Sequence, residues 1–348
     1  MYAVENSSIT SPRLTLKPVS RADIPAIVSA ANDLEVARWM SRLPHPYTAD
    51  DAEVFVAKNE GNAGRVWGIH DADGFVGVVG IVHEFGYWLA RRAWGKGYAT
   101  EAGKAVLGAY FANPSAVPLQ SNHFTENGRS ARVLNKLGFG YTGKSDETTC
   151  RATGVAHTRR MMTLVPEQWH ALNPLIIETL RLTLRPVIQA DAEVLSAIAG
   201  VQEVAPMLMS IRAPWAIEDA RRWIEQSRWR GRPGFRLAIT LKDGTVIGTV
   251  GIGPAARGIS TMYFIGTAHW GQGYATEAMQ AFLGAVFKRF APECVIADHF
   301  DDNPASGRVL RKLGFEKTGE DVAGSAARLE PAPVSLYRVN RSQFEAQL

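Results

Sequence analysis

Leu14-Thr15-Leu16 alternates apolar and polar residues and predicts a strand, and Ala22-Asp23 then opens a helical stretch to about Ala31. Asp50 or Asp51 is placed to cap a second helix, which carries Val54 and Phe55 on one face. Arg65 to His70 predicts a strand, Asp73-Gly74 a hairpin turn, Phe75 to Val82 a longer strand containing Gly77 and Gly80, and His83 to Leu89 a further strand. Trp94-Gly95-Lys96-Gly97 opens a helix of about 15 residues, in which Ala102, Val106, Leu107, Tyr110 and Phe111 recur at helical spacing. Glu101 lies in its first turn, where the helix dipole favours negative charge. Val117 to Phe124 predicts a strand, Ser130 to Leu137 a helix ended by Gly138, and Tyr141 to Leu164 two last strands. Because strands follow one another in the middle, the order predicts a mixed fold rather than a repeated strand-helix crossover fold.

This pattern occurs twice. Arg13-Leu14-Thr15-Leu16-Lys17-Pro18-Val19 returns as Arg181-Leu182-Thr183-Leu184-Arg185-Pro186-Val187, identical at six of seven positions. Trp94 to Ala102 returns as Trp270 to Ala278 with eight of nine identical, and Asn127 to Phe139 as Asn303 to Phe315 with nine of thirteen. The motifs keep their order at nearly constant offset, so each copy is expected to be a complete domain. Met161-Met162-Thr163-Leu164 predicts the last strand of the first copy, and Asn173-Pro174 is a turn signal after it. The expected domains are therefore 1–172 and 173–348. The short join between them implies that the copies pack as a pseudo-dimer.

Composition adds mainly exclusions. No apolar run approaches the roughly 20 residues of a membrane helix, and Met1-Tyr2-Ala3-Val4-Glu5-Asn6 lacks the features of a signal peptide. Two cysteines, Cys150 and Cys294, cannot form a disulfide framework, and a reducing cytoplasm is expected. The net charge is +4; residues 1–172 hold 18 basic and 16 acidic residues and residues 173–348 hold 20 and 18. Nucleic-acid binding would need clustered basic charge, and none is present. No His/Cys/Asp/Glu spacing suggests a metal site, and nothing resembles a Ser-His-Asp triad.

The main candidate for chemistry is the turn Arg92-Ala93-Trp94-Gly95-Lys96-Gly97 between strand and helix. A helix start offers unpaired N–H groups and the positive end of the dipole, and glycines let the backbone approach an anion. Arg91, Arg92 and Lys96 add positive charge. A tight turn without a ligand fits the same residues. The turn is neither a Walker loop nor a long dinucleotide fingerprint.

In this order the residues resemble the GNAT acetyltransferases, of the kind seen in ribosomal-protein N-terminal acetyltransferases of the RimJ/RimL type. The resemblance covers about 10–165 and about 178–340. It rests on Arg92, Gly95 and Gly97 in the pyrophosphate loop, on Gly86-Tyr87-Trp88-Leu89, and on Asn127, Ser130 and Lys136-Leu137-Gly138-Phe139. It implies two tandem GNAT domains of mixed α+β, three-layer α/β/α architecture around largely antiparallel central sheets, with acetyl-CoA as co-substrate and no metal. It also implies that acetyl-CoA is held by Tyr87, Trp88, Leu89, Arg91, Arg92, Trp94, Gly95, Lys96, Gly97, Tyr98, Ala99, Asn127 and Arg132. In the second copy it implies Phe264, Ile265, Gly271, Gly273, Tyr274, Asn303 and Ser306.

Acetyl transfer to an amine needs a bound thioester, a deprotonated amine, support for the developing oxyanion and an exit for the thiolate. By the resemblance, backbone N–H groups at Tyr87-Trp88-Leu89 polarise the thioester carbonyl. Glu84 is the candidate base, set against the reading of an exposed strand-end glutamate. Asn127 holds cofactor or acceptor, and Ser130 donates a hydrogen bond to the leaving sulfur. Trp39, His45 and Tyr47 suggest an aromatic wall for the acceptor, and His123 and His299 end equivalent strands nearby. The acceptor cleft is expected between Arg38–Tyr47 and Ser145–Thr158.

The copies are expected to be unequal. Arg91, Arg92 and Lys96 become Thr267, Ala268 and Gln272, and Glu84 becomes Ser260. The N-terminal copy is therefore expected to be the more active and the second a weaker or scaffolding domain. The acceptor is expected to be a protein or peptide N-terminus or a small-molecule amine. A catalytically silent acyl-CoA-binding protein remains the alternative.

Overall fold

The computed structural model describes residues 8–60, 65–113, 115–255 and 258–348. The chain separates into two units, Met1–Leu172 and Asn173–Leu348. The N-terminal unit begins with β1 (Ile9–Thr10), β2 (Thr15–Pro18), α1 (Ile24–Ala31), α2 (Leu34–Ala37) and α3 (Ala49–Glu60). Next come β3 (Val66–Asp71), β4 (Gly74–Ile81), β5 (Phe85–Leu89), α4 (Tyr98–Phe111) and β6 (Leu119–Phe124). It ends with α5 (Gly128–Leu137), β7 (Gly140–Thr149), β8 (Ala156–Leu164) and α6 (Pro166–Leu172).

β1 to β5 form an antiparallel sheet in sequential order, and β6, β8 and β7 form a second sheet with β8 central. Period-two alternation gives the main sheet two apolar faces. Leu14, Leu16, Ile69, Val76 and Val79 pack with Ala102, Val106, Leu107 and Phe111 of α4. Val66, Val78 and Trp88 pack on the other face with Ile27 and Ala31 of α1 and Ala52 and Val56 of α3. A register shift at Ile69/His70 explains how Val76 and Val79, three residues apart, share a face.

The C-terminal unit repeats this plan with β9 (Ile177–Glu178), β10 (Leu182–Pro186), α7 (Ala192–Ala199), α8 (Ile217–Gln226), β11 (Phe235–Leu241), β12 (Val246–Ala255) and β13 (Gly258–Ile265). After these come α9 (Tyr274–Phe290), β14 (Cys294–Phe300), α10 (Pro304–Lys312), β15 (Glu316–Ala323), β16 (Ala332–Asn340) and α11 (Arg341–Glu345). Its strands form one eight-stranded sheet, because β13 and β14 pair in parallel at Ile259/Val295 and Ser260/Ile296. Every other pairing in it is antiparallel among the described residues.

Three local expectations are corrected. The cap of α3 is Thr48, not Asp50 or Asp51: Asp51 N–H donates to Thr48 Oγ1 at 3.3 Å, and Thr48 N–H donates to the Asp51 carboxylate at 3.0 Å. This reciprocal exchange is a capping box, which needs a hydroxyl three residues before the acid. Val54 is 68% exposed, and Ala52 and Val56 supply the buried face instead. Tyr47 is buried at 5% among Val19, Ile27, Val78 and Trp88, so it is a core residue rather than a cleft wall.

The tightest glycine of each main sheet is sterically required. A Cβ on Gly77 would lie 2.2 Å from Trp88 O, and one on Gly248 2.1 Å from Phe264 O. Both sit where the next strand crosses closest, opposite Leu89 and Ile265. Gly248→Ala is expected to destabilise the C-terminal unit by about 3 kcal/mol, the upper end of overpacking costs, read from its chemical-denaturation midpoint.

Candidate active site

Two parallel strands part in each unit. In the N-terminal unit β5 pairs, among the described residues, with β4 alone, and β6 belongs to the other sheet; Ser121 Oγ bridges their closed end by donating to Phe85 O at 2.8 Å. In the C-terminal unit β13 and β14 pair at Ile259/Val295 and Ser260/Ile296 and then diverge. Beyond the fork, backbone groups of Tyr87 to Leu89 and of Met262 to Ile265 lack a strand partner on that side among the described residues. Such groups need a hydrogen-bonding ligand or water. Trp88, Leu89, Phe264 and Ile265 have buried side chains, so they offer the gap only their backbone.

The far end of the fork meets a helix start. Gly95 and Gly97 adopt left-handed φ values of 77° and 80°, and Gly271 and Gly273 match them at 74° and 81°. No atom crowds a Cβ at Gly95 or Gly271, so the backbone conformation is what selects glycine there. Gly97 and Gly273 cap α4 and α9 without a side-chain acceptor, which leaves first-turn N–H groups for an anion. Trp94 and Trp270 latch the turn to the strand before it, their indole N–H groups donating to Leu89 O at 2.8 Å and Ile265 O at 2.7 Å.

A clamp absent from the sequence reading holds this turn. The Arg13 guanidinium donates to Glu101 Oε2 at 2.7 Å and to Lys96 O at 2.9 Å, while Ser11 Oγ donates to Glu101 Oε1 at 2.7 Å. Arg181, Glu277, Gln272 O and Thr179 repeat the arrangement at 2.6, 3.0 and 2.6 Å. The repeated Arg-Leu-Thr-Leu segment supplies the arginine of both clamps, a pairing its strand pattern does not reveal. Burial works to raise the Glu101 and Glu277 carboxyls, but the hydroxyl, backbone and guanidinium donors outweigh it and hold both below the ordinary range.

The turn's own cations are partly committed. Arg91 pairs with Asp33 at 3.6 Å. Arg92 pairs with Asp71 at 3.3 Å and donates to Phe75 O at 3.0 Å. In the second copy the acids vanish with the arginines: Val201 stands for Asp33 and Leu241 for Asp71. The charge contrast between the two turns therefore shrinks to Lys96 against Gln272. Lys96 Nζ lies 5.7 Å from the centre of the Tyr98 ring, which Arg13 also faces at 5.0 Å.

Where the strands part, a phenol meets a hydroxyl. Tyr87 OH donates to Ser130 Oγ at 3.2 Å, and Tyr263 OH and Ser306 Oγ lie 3.0 Å apart. Burial pushes both phenols up to about 12, with the serine bond working against it, so both stay protonated at neutral pH. Asn127 and Asn303 cap α5 and α10, their Oδ1 atoms accepting from Ser130 N at 3.1 Å and Ser306 N at 3.2 Å. The asparagines thus place the serines. Arg132 lies exposed on α5.

Glu84 immediately precedes β5, and its Oε2 accepts from Asn122 Nδ2 at 2.7 Å. Arg159 faces this carboxylate while forming a two-pronged pair with Asp146 at 2.9 and 2.6 Å. The Asp146 bonds chiefly, with Glu84 adding, hold the guanidinium above its ordinary value. His123 is 5% exposed and satisfied on both sides. Its Nδ1 donates to Phe124 O at 2.8 Å, so Nε2 accepts from Tyr141 OH at 3.0 Å. The ring is therefore structural and out of an acceptor's reach. His299 is held likewise by Phe300 O and Tyr337 OH. Trp39 stays half-buried, with Arg38 over its ring at 5.3 Å.

The tip of the β7–β8 hairpin docks on the segment before Tyr47. Cys150 Sγ lies 3.7 Å from Ala37 O and 3.6 Å from Met40 O, and Arg151 N–H donates to Ser41 O at 3.2 Å. In the second copy Ser325 Oγ donates to Leu208 O at 2.7 Å and Arg328 Nε to Pro206 O at 2.8 Å. Among the described residues no group of three or more His, Cys, Asp or Glu is arranged to hold a metal ion, and no helix is long and apolar enough to cross a membrane.

Breaking the clamp has a pH signature. A carboxyl held below its ordinary 4.5 contributes stability that is fully present above that value and lost as pH falls through the lower folded value. Glu101→Gln is therefore expected to lower the melting temperature at pH 7 and to flatten its fall below pH 4.5, measured by thermal melts across pH.

Comparison with known proteins agrees with this architecture. The family model of the acetyltransferase (GNAT) domain matches residues 13–140 and again 181–316. An uncharacterized N-acetyltransferase, YoaA of Bacillus subtilis, is 32% identical over 150 residues, covering 41% of this chain and 84% of that protein. An uncharacterized N-acetyltransferase p20 of Bacillus licheniformis is 27% identical over 145 residues, covering 38% of this chain and 82% of its own. Among solved structures, a GNAT-family acetyltransferase from Bacillus anthracis is 20% identical with a TM-score of 0.43, covering 48% of this chain and 99% of its own. RimJ of Mycobacterium smegmatis in complex with CoA-disulfide is 20% identical with a TM-score of 0.41, covering 49% and 88%. With the domain matched twice over most of its length, the chain belongs to the GNAT acetyltransferases, acetyl-CoA-dependent enzymes that transfer an acetyl group.

Proposed function

We propose that the N-terminal domain transfers acetyl from acetyl-CoA to a primary amine by direct attack within a ternary complex. The first-turn N–H groups after Gly97 would receive the pyrophosphate, and the unpaired edge of Tyr87 to Leu89 the amide-bearing pantetheine arm. The observation that carries this reading is the Tyr87–Ser130 hydrogen bond beside that edge. Tyr87 donates its proton to Ser130, which leaves the Ser130 O–H free to point at a leaving sulfur. Serine is too weak an acid to protonate a thiolate by itself. A phenol behind it makes the hydroxyl a relay, while its protonated state keeps the site neutral.

Glu84 is the base. An alkylammonium at neutral pH must lose a proton before attack. The Glu84 carboxylate takes it directly or through one water, and Asn122 keeps the carboxylate oriented. The acceptor is read as the α-amine of a protein or peptide N-terminus, on the RimJ/RimL-type motifs Gly86-Tyr87-Trp88-Leu89 and Asn127 to Phe139. A polyamine or another small amine is the outcome that would replace it.

Calorimetric titration with acetyl-CoA, followed by thiol release with a serine-initiated peptide, a polyamine and an aminoglycoside, tests the reading. Binding with peptide-dependent release is expected. Release with a small amine alone would overturn the acceptor, and no binding would overturn the reading. Glu84→Gln is expected to lower kcat/KM of the N-terminal site by roughly 10²-fold or more, with the loss largest at low pH, where the amine is most protonated.

A further inference from the structure

The two domains exchange one pair of functional groups across the fork. In the N-terminal domain the carboxylate, Glu84, enters β5, and its amide partner, Asn122, lies on β6 at 2.7 Å. At the matching positions the C-terminal domain has Ser260 on β13 and Asp298 on β14. The carboxylate has not been lost but has moved to the other prong.

The register puts Asp298 at the mouth of the gap. The parallel strands last pair at Ser260/Ile296, and Asp298 is the next β14 residue on that face. Val295, Ala297 and His299 turn to the buried side, while the Asp298 side chain stays accessible. The rest of the machinery is intact in this domain: the glycine turn, the Arg181–Glu277 clamp, and Tyr263 OH 3.0 Å from Ser306 Oγ.

The surroundings differ in a way that suits a base. Arg159, which faces Glu84, is replaced by the buried Val334. Directly across from Asp298 on β16 stands Leu336. The charged and titratable groups of neighbouring elements include Arg338 opposite Ile296, Asp321 opposite Val334, Asp301 bonded to Ser335, Arg328 over the Phe300 ring and paired with Asp302, His299 on the other face of β14, and Tyr263 on β13. Crowding by protein raises the Asp298 carboxyl above its ordinary value, with His299 working against it.

We propose that the C-terminal domain is a second acetyl-transfer site in which Asp298 takes the proton of the attacking amine. This rests on the acetyl-transfer reading given above. The alkylammonium gives one proton to the Asp298 carboxylate, which returns it to solvent. The freed nitrogen lone pair forms the C–N bond, and the C–S bond breaks with its electron pair on sulfur. Sulfur is protonated through the Ser306 hydroxyl with Tyr263 behind it, and the second nitrogen proton, lost as the amide forms, replaces the one this relay has given up. The products are amide, thiol and one released proton.

The test uses the full chain as wild type, Glu84→Gln, Asp298→Asn and the double variant, with thiol release measured across pH for the same three amines. Glu84→Gln is expected to keep release with at least one amine, and adding Asp298→Asn to lower that residue of activity by about 10²-fold. A carboxyl raised in the folded state costs stability as pH rises through its titration. Asp298→Asn alone should therefore melt above wild type at pH 7, the gap closing below the ordinary 3.8. Release surviving in the double variant, or abolished by Glu84→Gln alone, would overturn this inference and leave acetyl transfer standing. A lower melting temperature for Asp298→Asn would mark a structural residue and also overturn it. No release by wild type with any amine and no heat with acetyl-CoA would bring down the acetyl-transfer reading itself.

Discussion

Parting two neighbouring strands leaves main-chain donors and acceptors without strand partners, and the rest of each domain is arranged around that debt in hydrogen bonds. The closed end of the fork is held by Ser121 in one domain and by the Ser260/Ile296 pairing in the other. The open end is held by a tryptophan indole that bonds the last strand carbonyl, and by a glycine whose missing Cβ lets the strands cross. The arginine–glutamate clamp then ties the residues just before β2 and β10 to the turn, so the anion seat and the free edge keep a fixed relation. A ligand suited to this frame has an anionic end and an amide-bearing arm, because those are the groups the frame leaves unsatisfied.

The duplication shows which contacts travel as units. Arg91 and Asp33 disappear together, as do Arg92 and Asp71, so neither loss leaves an unpaired charge. Counting cations in the turn alone overstated the difference between the copies for this reason. The buried histidines tell the same story from the other side. His123 accepts from Tyr141 on β7, whereas His299 meets Tyr337 on β16. The hydrogen bond persists although the tyrosine changed strands, as expected if an unsatisfied buried ring nitrogen is costlier than a moved partner.

The strand and helix order was legible because alternation and helical spacing are local signals. So was the glycine turn, since left-handed backbone restricts residue choice. Contacts distant in sequence were not: Ser130 lies 43 residues from Tyr87, and Glu101 lies 88 from Arg13. Tyr47 misled because an aromatic in a loop looks the same whether it faces a cleft or plugs a core. Asp50 and Asp51 misled because the preferred cap types include threonine, and Thr48 with Asp51 satisfied two donors at once. Asn127 is expected to hold cofactor or acceptor, and its Oδ1 in addition caps α5, a contact that places Ser130.

The hairpin strap that docks on the loop after α2 is anchored to main-chain carbonyls: Ala37 and Met40 in one domain, Pro206 and Leu208 in the other. Every residue carries a carbonyl, so side chains along that loop are free to change without loosening the anchor. Trp39 has already become Met207, and Arg38 has become Pro206. Divergence between the duplicated clefts can therefore accumulate one substitution at a time, each variant inheriting a wall that still stands.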